Sequence, residues 1–291
     1  MAKRSVQHIV QPPQPHFVGD GFRVHNFIPS TAELSMQRMD PFILMDYNSK
    51  FKFPPSEQPK GVGVHPHRGF ETVTIAYQGK IEHHDSSGGG GVISKGGVQW
   101  MTAASGVLHK EFHETEWSKK GGDFQMVQLW INLPAQNKMD KPKYQAIDNE
   151  NMTHIDLPNQ AGKIELIAGK YGSHKGPAHT FSPIHMMNAK LNADGKAEFD
   201  FPADYNTALL MIDGECMVND AVSIPADHLA VLENDGEQFT LKASENAVIL
   251  VLSGQPLNET IAAQGPFVMN TYDEIRQAMK DFQQGKFGQL S

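Results

Sequence analysis

The 291-residue chain has one cysteine, Cys216. A single thiol excludes an internal disulfide and any thiolate metal cluster, and it suits a reducing compartment. Long apolar runs are missing as well: nothing approaches the ~18 residues of a membrane-spanning helix. The segment Met1 to His8 is basic but lacks the apolar stretch of a secretory signal, so a cytoplasmic protein without membrane attachment is expected. Positive charge is also scarce. With 25 Lys and Arg against 33 Asp and Glu, the net charge of −8 disfavours direct binding to nucleic acid or to an anionic membrane. The glycine run Gly88 to Gly91 is not followed by the lysine and hydroxyl residue of a phosphate-binding loop, and it reads as a hairpin connection.

What the chain does have is histidine in a telling arrangement. Of its 14 histidines only His65 and His67 form an H-x-H pair, and His109 and Glu111 stand two apart further on. Side chains alternate faces along a strand, so each pair shares one side of its own strand. Between them lies Glu71 to Tyr77, a β-branched strand-forming run that ends in the turn Gln78-Gly79-Lys80. The chain can therefore fold back and set the second pair opposite the first. Three imidazoles and a carboxylate, His65, His67, His109 and Glu111, are donors for one divalent transition ion and not for Ca or Mg. Fe, Mn, Co, Ni, Cu and Zn all remain open on ligand type alone.

The other histidines read differently. His113 shares strand parity with His109 and Glu111 and is a candidate to support the ligands, whereas His83 and His84 flank a turn and are expected to be exposed. His174, His179 and His185 lie in or beside a Gly/Pro-interrupted loop. Gln99, Gln125 and Gln128 can offer polar atoms to a pocket.

The length suits about two domains of ~100–200 residues. The polar, strand-poor stretch from Pro134 to Lys143 is the best linker, so the expected division is a metal-binding domain at 1–134, a linker at 135–146 and a second β domain at 147–291. A weak internal repeat aligns Thr74–Gly79 with Leu209–Gly214. On that alignment Asp200, Pro202 and Asn206 stand for His65, His67 and Glu71, while Phe239 and Leu241 stand for His109 and Glu111. The second half keeps the strand-and-turn rhythm without the ligands. A helix closes the chain, opened by a capping box at Thr271 and Glu274, with Ile275, Met279 and Phe282 on its apolar face and Gly285 as its stop.

The pattern Gly61-x3-His65-x-His67-x3-Glu71-x7-Gly79 resembles the first motif of the cupins, and Gly106-x2-His109 resembles the core of the second. Within that superfamily the strings HPHRGFETVTIAYQG, VQWMTAASGVLHKE, DPFILMDY and PLNETIAAQGPFVMNT are similar to the pirin family across nearly the whole chain. The resemblance implies an all-β bicupin: two jelly-roll-like β-barrels face to face, with a short C-terminal helix and one metal, Fe(II) before other ions, in the first barrel. It places the ligands on His65, His67, His109 and Glu111. In other cupins the carboxylate ligand is the residue at Glu71, which here shares parity with His65 and His67 and stands as an alternative or supporting residue. The resemblance also implies a quercetin 2,3-dioxygenase type of reaction on a flavonol-like substrate with O2; a carboxylate, Glu111 before Glu71, is expected as the general base, and the chain is expected to be a monomer. The other function it implies is a non-enzymatic, redox-responsive co-regulator that binds a transcription factor or another protein partner.

Overall fold

The computed structural model describes residues 2–290, which are mostly strand and form two compact units. One unit comprises Pro13–Asn149 together with residues 257–290, and the other comprises residues 2–12 together with Glu150–Pro256. These are not the continuous blocks 1–134 and 147–291 expected from composition. The supposed linker is part of the first unit, because Lys143–Ile147 is a strand paired antiparallel with Val98–Thr102. Lys138, in the same stretch, is buried and donates to the carbonyls of Gly69 and Val268 and to Asn132 Oδ1. A polar composition concealed a segment whose polar groups are satisfied inside the protein.

Each unit is a sandwich of a 7-stranded and a 4-stranded antiparallel sheet. In the first, the large sheet runs Lys143–Ile147, Val98–Thr102, Phe70–Gln78, Gly122–Asn132, Phe42–Phe53, Phe22–Ile28, His16–Val18. Its small sheet runs Gly61–His67, Val107–His113, Ile81–Asp85, Gly90–Ile93. Phe22, Val24, Ala76, Phe124 and Met126 of the large sheet pack against Ile81 and Ile93 of the small one. The sheets are jelly-roll-like, as expected, but they do not close into barrels.

Two turns decide where the ligands go. After His67 the chain leaves the small sheet at Arg68-Gly69 and enters the large one at Phe70. Gly69 has φ +91°, and a Cβ there would stand 1.9 Å from the Val268 carbonyl oxygen, so only glycine fits. Gly79, φ +86°, then returns the chain to the small sheet as the sequence suggested, with its α-carbon against the Phe124 ring.

The second unit repeats this order strand for strand: Leu229–Leu232, Asn206–Asp213, Ala247–Gly254 and Ile184–Leu191 take the places of Val98–Thr102, Phe70–Gln78, Gly122–Asn132 and Phe42–Phe53. The N-terminal strand Val6–Val10 fills the edge position that Lys143–Ile147 fills in the first unit. The closing helix, Tyr272–Gln283, has the expected capping box. It buries Ile275 and Ala278 against Phe267 and Met269, while Phe282 is 40% exposed and lies outside the buried face.

Candidate metal centre

The centre of the small sheet is Val107–His113, whose residues alternate buried and half-buried, with His109, Glu111 and His113 inward. His109 stands opposite His65 on one neighbouring strand and Asp85 on the other, and Glu111 stands opposite Val62 and His83. The register shifts between His109 and Glu111 on the His65 side. The three histidines are thereby brought together, while Glu111 is close to His109 alone among them. The ring centroids of His65, His67 and His109 are 4.8, 4.2 and 4.6 Å apart, and the nitrogens of all three lie within 4.8 Å of one another.

Each imidazole has a partner that fixes which nitrogen carries the proton. His65 Nδ1 donates to the Gly63 carbonyl at 2.8 Å and His67 Nδ1 to the Pro266 carbonyl at 3.3 Å, so both leave Nε2 as a lone pair. His109 is set by a longer chain. His83 Nε2 donates to Asp85 Oδ2 at 3.2 Å, which leaves His83 Nδ1 to accept from His109 Nδ1 at 3.4 Å. His109 Nε2, buried and without a hydrogen-bond partner among the described residues, is then a lone pair too. Burial, reinforced by the neighbouring imidazoles, pushes His67 and His109 well below the usual histidine range, so both are neutral as metal ligation requires.

Glu111 lies beside His109. Gln99 Nε2 and Thr74 Oγ1 donate to its Oε1, and Gln128 Nε2 donates to Oε2 at 2.7 Å. Asp85 is anchored in turn: burial would raise its pKa, but the bonds from His83, Ser87 and the Gly89 amide outweigh that and hold it below the usual range. Three convergent Nε2 lone pairs, one of them orphaned in the interior, with a carboxylate beside them, suit a divalent transition metal.

His83 was expected at the surface and is fully buried; only its neighbour His84 is exposed. The residues Ile81, His83 and Asp85 share one face, and the apolar Ile81 was the available sign of which way His83 points. His83, His109 and Glu111 also form a second close group. Glu71 is elsewhere. Because the chain changes sheets at Gly69, parity with His65 does not carry over, and Glu71 lies with Val73 and Ile75 on the face of its strand opposite Thr74. It accepts from Thr102 Oγ1 at 2.7 Å, and burial pushes its pKa up to about 7. His113 is a core residue, packed among Phe53, Phe124 and Trp117 with Nε2 donating to the Gly21 carbonyl. Gln125 bonds Tyr47, and His185 bonds Lys170 in the other unit.

The cluster opens onto a cavity of 360 Å³, lined by His65, His67, Glu111 and Gln128 and by the apolar surfaces of Phe22, Val24, Val62, Met126, Trp130 and Pro266. That volume lies within the roughly 300–1,000 Å³ of small-molecule sites.

The chain matches the family model described as Pirin over residues 21–131, and the model described as Pirin C-terminal cupin domain over residues 186–288. It is 46% identical to a Pseudomonas aeruginosa protein named "Putative quercetin 2,3-dioxygenase", covering 94% of each chain, and 34% identical to the pirin of Homo sapiens, covering 93% of this chain and 89% of that one. The crystal structure of a quercetin 2,3-dioxygenase from Acinetobacter baumannii superposes with a TM-score of 0.93 at 46% identity over the whole of both chains. A bacterial pirin from Escherichia coli solved with nickel(II) shares the fold at a TM-score of 0.64 and 16% identity. No helix among the described residues is long and apolar enough to cross a membrane. With family models covering both units and relatives matched almost end to end, the chain belongs to the pirin family and has the bicupin fold.

Proposed function

We propose that the protein holds one divalent metal, Fe(II) before other ions, on His65, His67, His109 and Glu111, and uses it to cleave a flavonol or a similar enolisable compound with O2. The observation that carries this reading is the cluster of His65, His67 and His109, with His109 Nε2 a buried lone pair and Glu111 close to His109, at the wall of a mostly apolar cavity. The relatives and the structural neighbour named as quercetin 2,3-dioxygenases support the substrate class. When bound, the metal would act as a Lewis acid and lower the pKa of a hydroxyl placed beside a ketone. The apolar walls, Phe22, Met126 and Trp130 among them, would grip a flat aromatic body and exclude water. Glu111 would take the hydroxyl proton, with Gln99, Thr74 and Gln128 holding its carboxylate in place before and after the transfer.

The test is anaerobic reconstitution with Fe(II), elemental analysis, and then oxygen uptake with quercetin. One metal per chain, lost in His67→Ala, with uptake that needs both metal and quercetin, is the expected result. One bound metal without uptake would overturn the enzymatic reading and favour the redox-responsive co-regulator. A second ion retained after His65→Ala would overturn the assignment of the metal to this cluster alone.

A further inference from the structure

The inner face of the first unit's large sheet carries a row of polar side chains that metal binding does not account for. Reading straight across five neighbouring strands, Gln99 is opposite Thr74, Thr74 opposite Gln128, Gln128 opposite Asp46, and Asp46 opposite Asn26. Residues directly opposite one another share a face. The first three of the row hold Glu111. The last two do not touch it. Asn26 Nδ2 donates to Asp46 Oδ1 at 2.8 Å, Oδ2 has no hydrogen-bond donor among the described residues, and Asp46 lines the same cavity as His65, His67 and Glu111.

Folding does not require this row. In the second unit the same strands, read across from Leu209, the partner of Thr74 in the repeat, give Ala230, Leu209, Val251, Met187 and Leu166, all in one apolar core. The sandwich is thus complete without a single polar atom at these places. A half-buried carboxylate that lines an apolar cavity with half its acceptor capacity unused is open to a donor from a ligand in that cavity.

We infer that Asp46, oriented by Asn26 and one strand beyond the residues that hold Glu111, is a ligand-binding group of the cavity, and that it accepts a hydrogen bond from a hydroxyl on the ligand. The molecule that fits is a flat aromatic with a chelating oxygen pair at one end and at least one phenolic O–H at the other. An anionic tail at that end would be repelled by the carboxylate. This rests on the flavonol reading and narrows it to polyhydroxylated members of the class.

The experiment uses the metal-loaded full chain under anaerobic conditions, so that binding is read without turnover, with two probes. Quercetin carries hydroxyls around the ring system; 3-hydroxyflavone has the same chelating pair and no other hydroxyl. The wild type should bind quercetin about tenfold or more tightly than 3-hydroxyflavone, as a hydrogen bond to a charged group provides. Asp46→Leu should remove that difference and leave 3-hydroxyflavone within about twofold of wild type, with metal content unchanged. Should the leucine variant fail to fold, Asp46→Asn carries the test, with a reduced quercetin preference expected. Equal loss for both probes, or an unchanged preference, overturns the role of Asp46. Failure of the flavonol reading looks different: the wild type binds neither probe, which overturns both proposals, or it binds and discriminates but takes up no oxygen, which overturns cleavage and leaves Asp46 as the hydroxyl-binding group.

Discussion

The two units share one strand order and differ in what fills the sandwich. In the first, His109 faces His65 across the small sheet; in the second, Phe239 faces Phe199 at the corresponding place. Phe199, Phe201 and Phe239 stand where His65, His67 and His109 stand, with centroid separations of 4.9, 6.1 and 6.0 Å, and Leu241 and Val218 replace Glu111 and His83. Three imidazoles become three phenyl rings. The frame is therefore indifferent to chemistry at these positions: an apolar set is simply core, while a polar set must be supplied with partners. Most buried polar atoms of the first unit's site have one; Gln99 Oε1, Trp130 Nε1 and His109 Nε2 do not, and of these only the imidazole lone pair of His109 suits a transition metal.

The largest effect should come from making the first unit resemble the second. His109→Phe, the exchange the second unit has already made, should abolish metal binding and any oxygen uptake while the circular dichroism spectrum stays folded. Both sandwiches have their own apolar cores, so the metal adds local order and not the whole fold, unlike a zinc finger. Metal retained at one per chain would show that His83 or another residue substitutes for His109. Glu111→Gln should come next. The amide is a poorer ligand and cannot take a proton at neutral pH, and its NH2 group would face a donor that now serves the carboxylate, Gln128 or Gln99. Weakened metal binding with no flavonol cleavage is expected, by elemental analysis and oxygen uptake. Cleavage at wild-type rate would remove Glu111 from the chemistry.

A smaller effect should follow from His83→Ala, which replaces no predicted ligand but breaks the chain from Asp85 to His109. Supports of this kind are worth roughly 10–100-fold in metal affinity. Competition with a chelator reads it directly, and an affinity within about twofold of wild type would mean that His109 is oriented by packing alone.

How much of this was legible depended on whether the signal was local. The shared face of His109 and Glu111 and the meeting of His65 and His67 with His109 were readable because two-residue spacing fixes a side without any knowledge of tertiary structure. The ligands' absence from the second half was readable for the same reason. His109 and Glu111 do correspond to Phe239 and Leu241, but the pairing sets Phe199, and not Asp200, at the place of His65, since a one-residue slip reverses every face. Asp200 is exposed and Phe199 buried, which a check of polarity along Lys196–Asp200 would have caught. What could not be read was long-range: the polar row through Asp46 joins residues from Asn26 to Gln99, and the return of residues 257–290 to the first unit leaves no mark in composition.

The smallest effect concerns Glu71, where the repeat offers Asn206 as the uncharged counterpart. Glu71 is 1% exposed and is held by Thr102, and burial lifts its pKa from an ordinary 4.5 to about 7. Below about pH 4.5 the group is protonated in both folded and unfolded chains and contributes nothing to the pH dependence. Between that value and 7 the unfolded chain gives up its proton while the folded one keeps it, so stability falls as pH rises, and the full penalty is in place above 7. Glu71→Gln keeps an oxygen for Thr102 and removes the ionisation. The variant should match wild type at pH 4.5 and exceed it at pH 8 by roughly 1–3 kcal/mol in urea unfolding, with metal content unchanged. The opposite sign, a wild type that gains on the variant as pH rises, would mean that ionised Glu71 is held by a positive charge in the folded protein. The carboxylate would then belong to the metal, as in other cupins, and Glu111 would be the residue that only supports it.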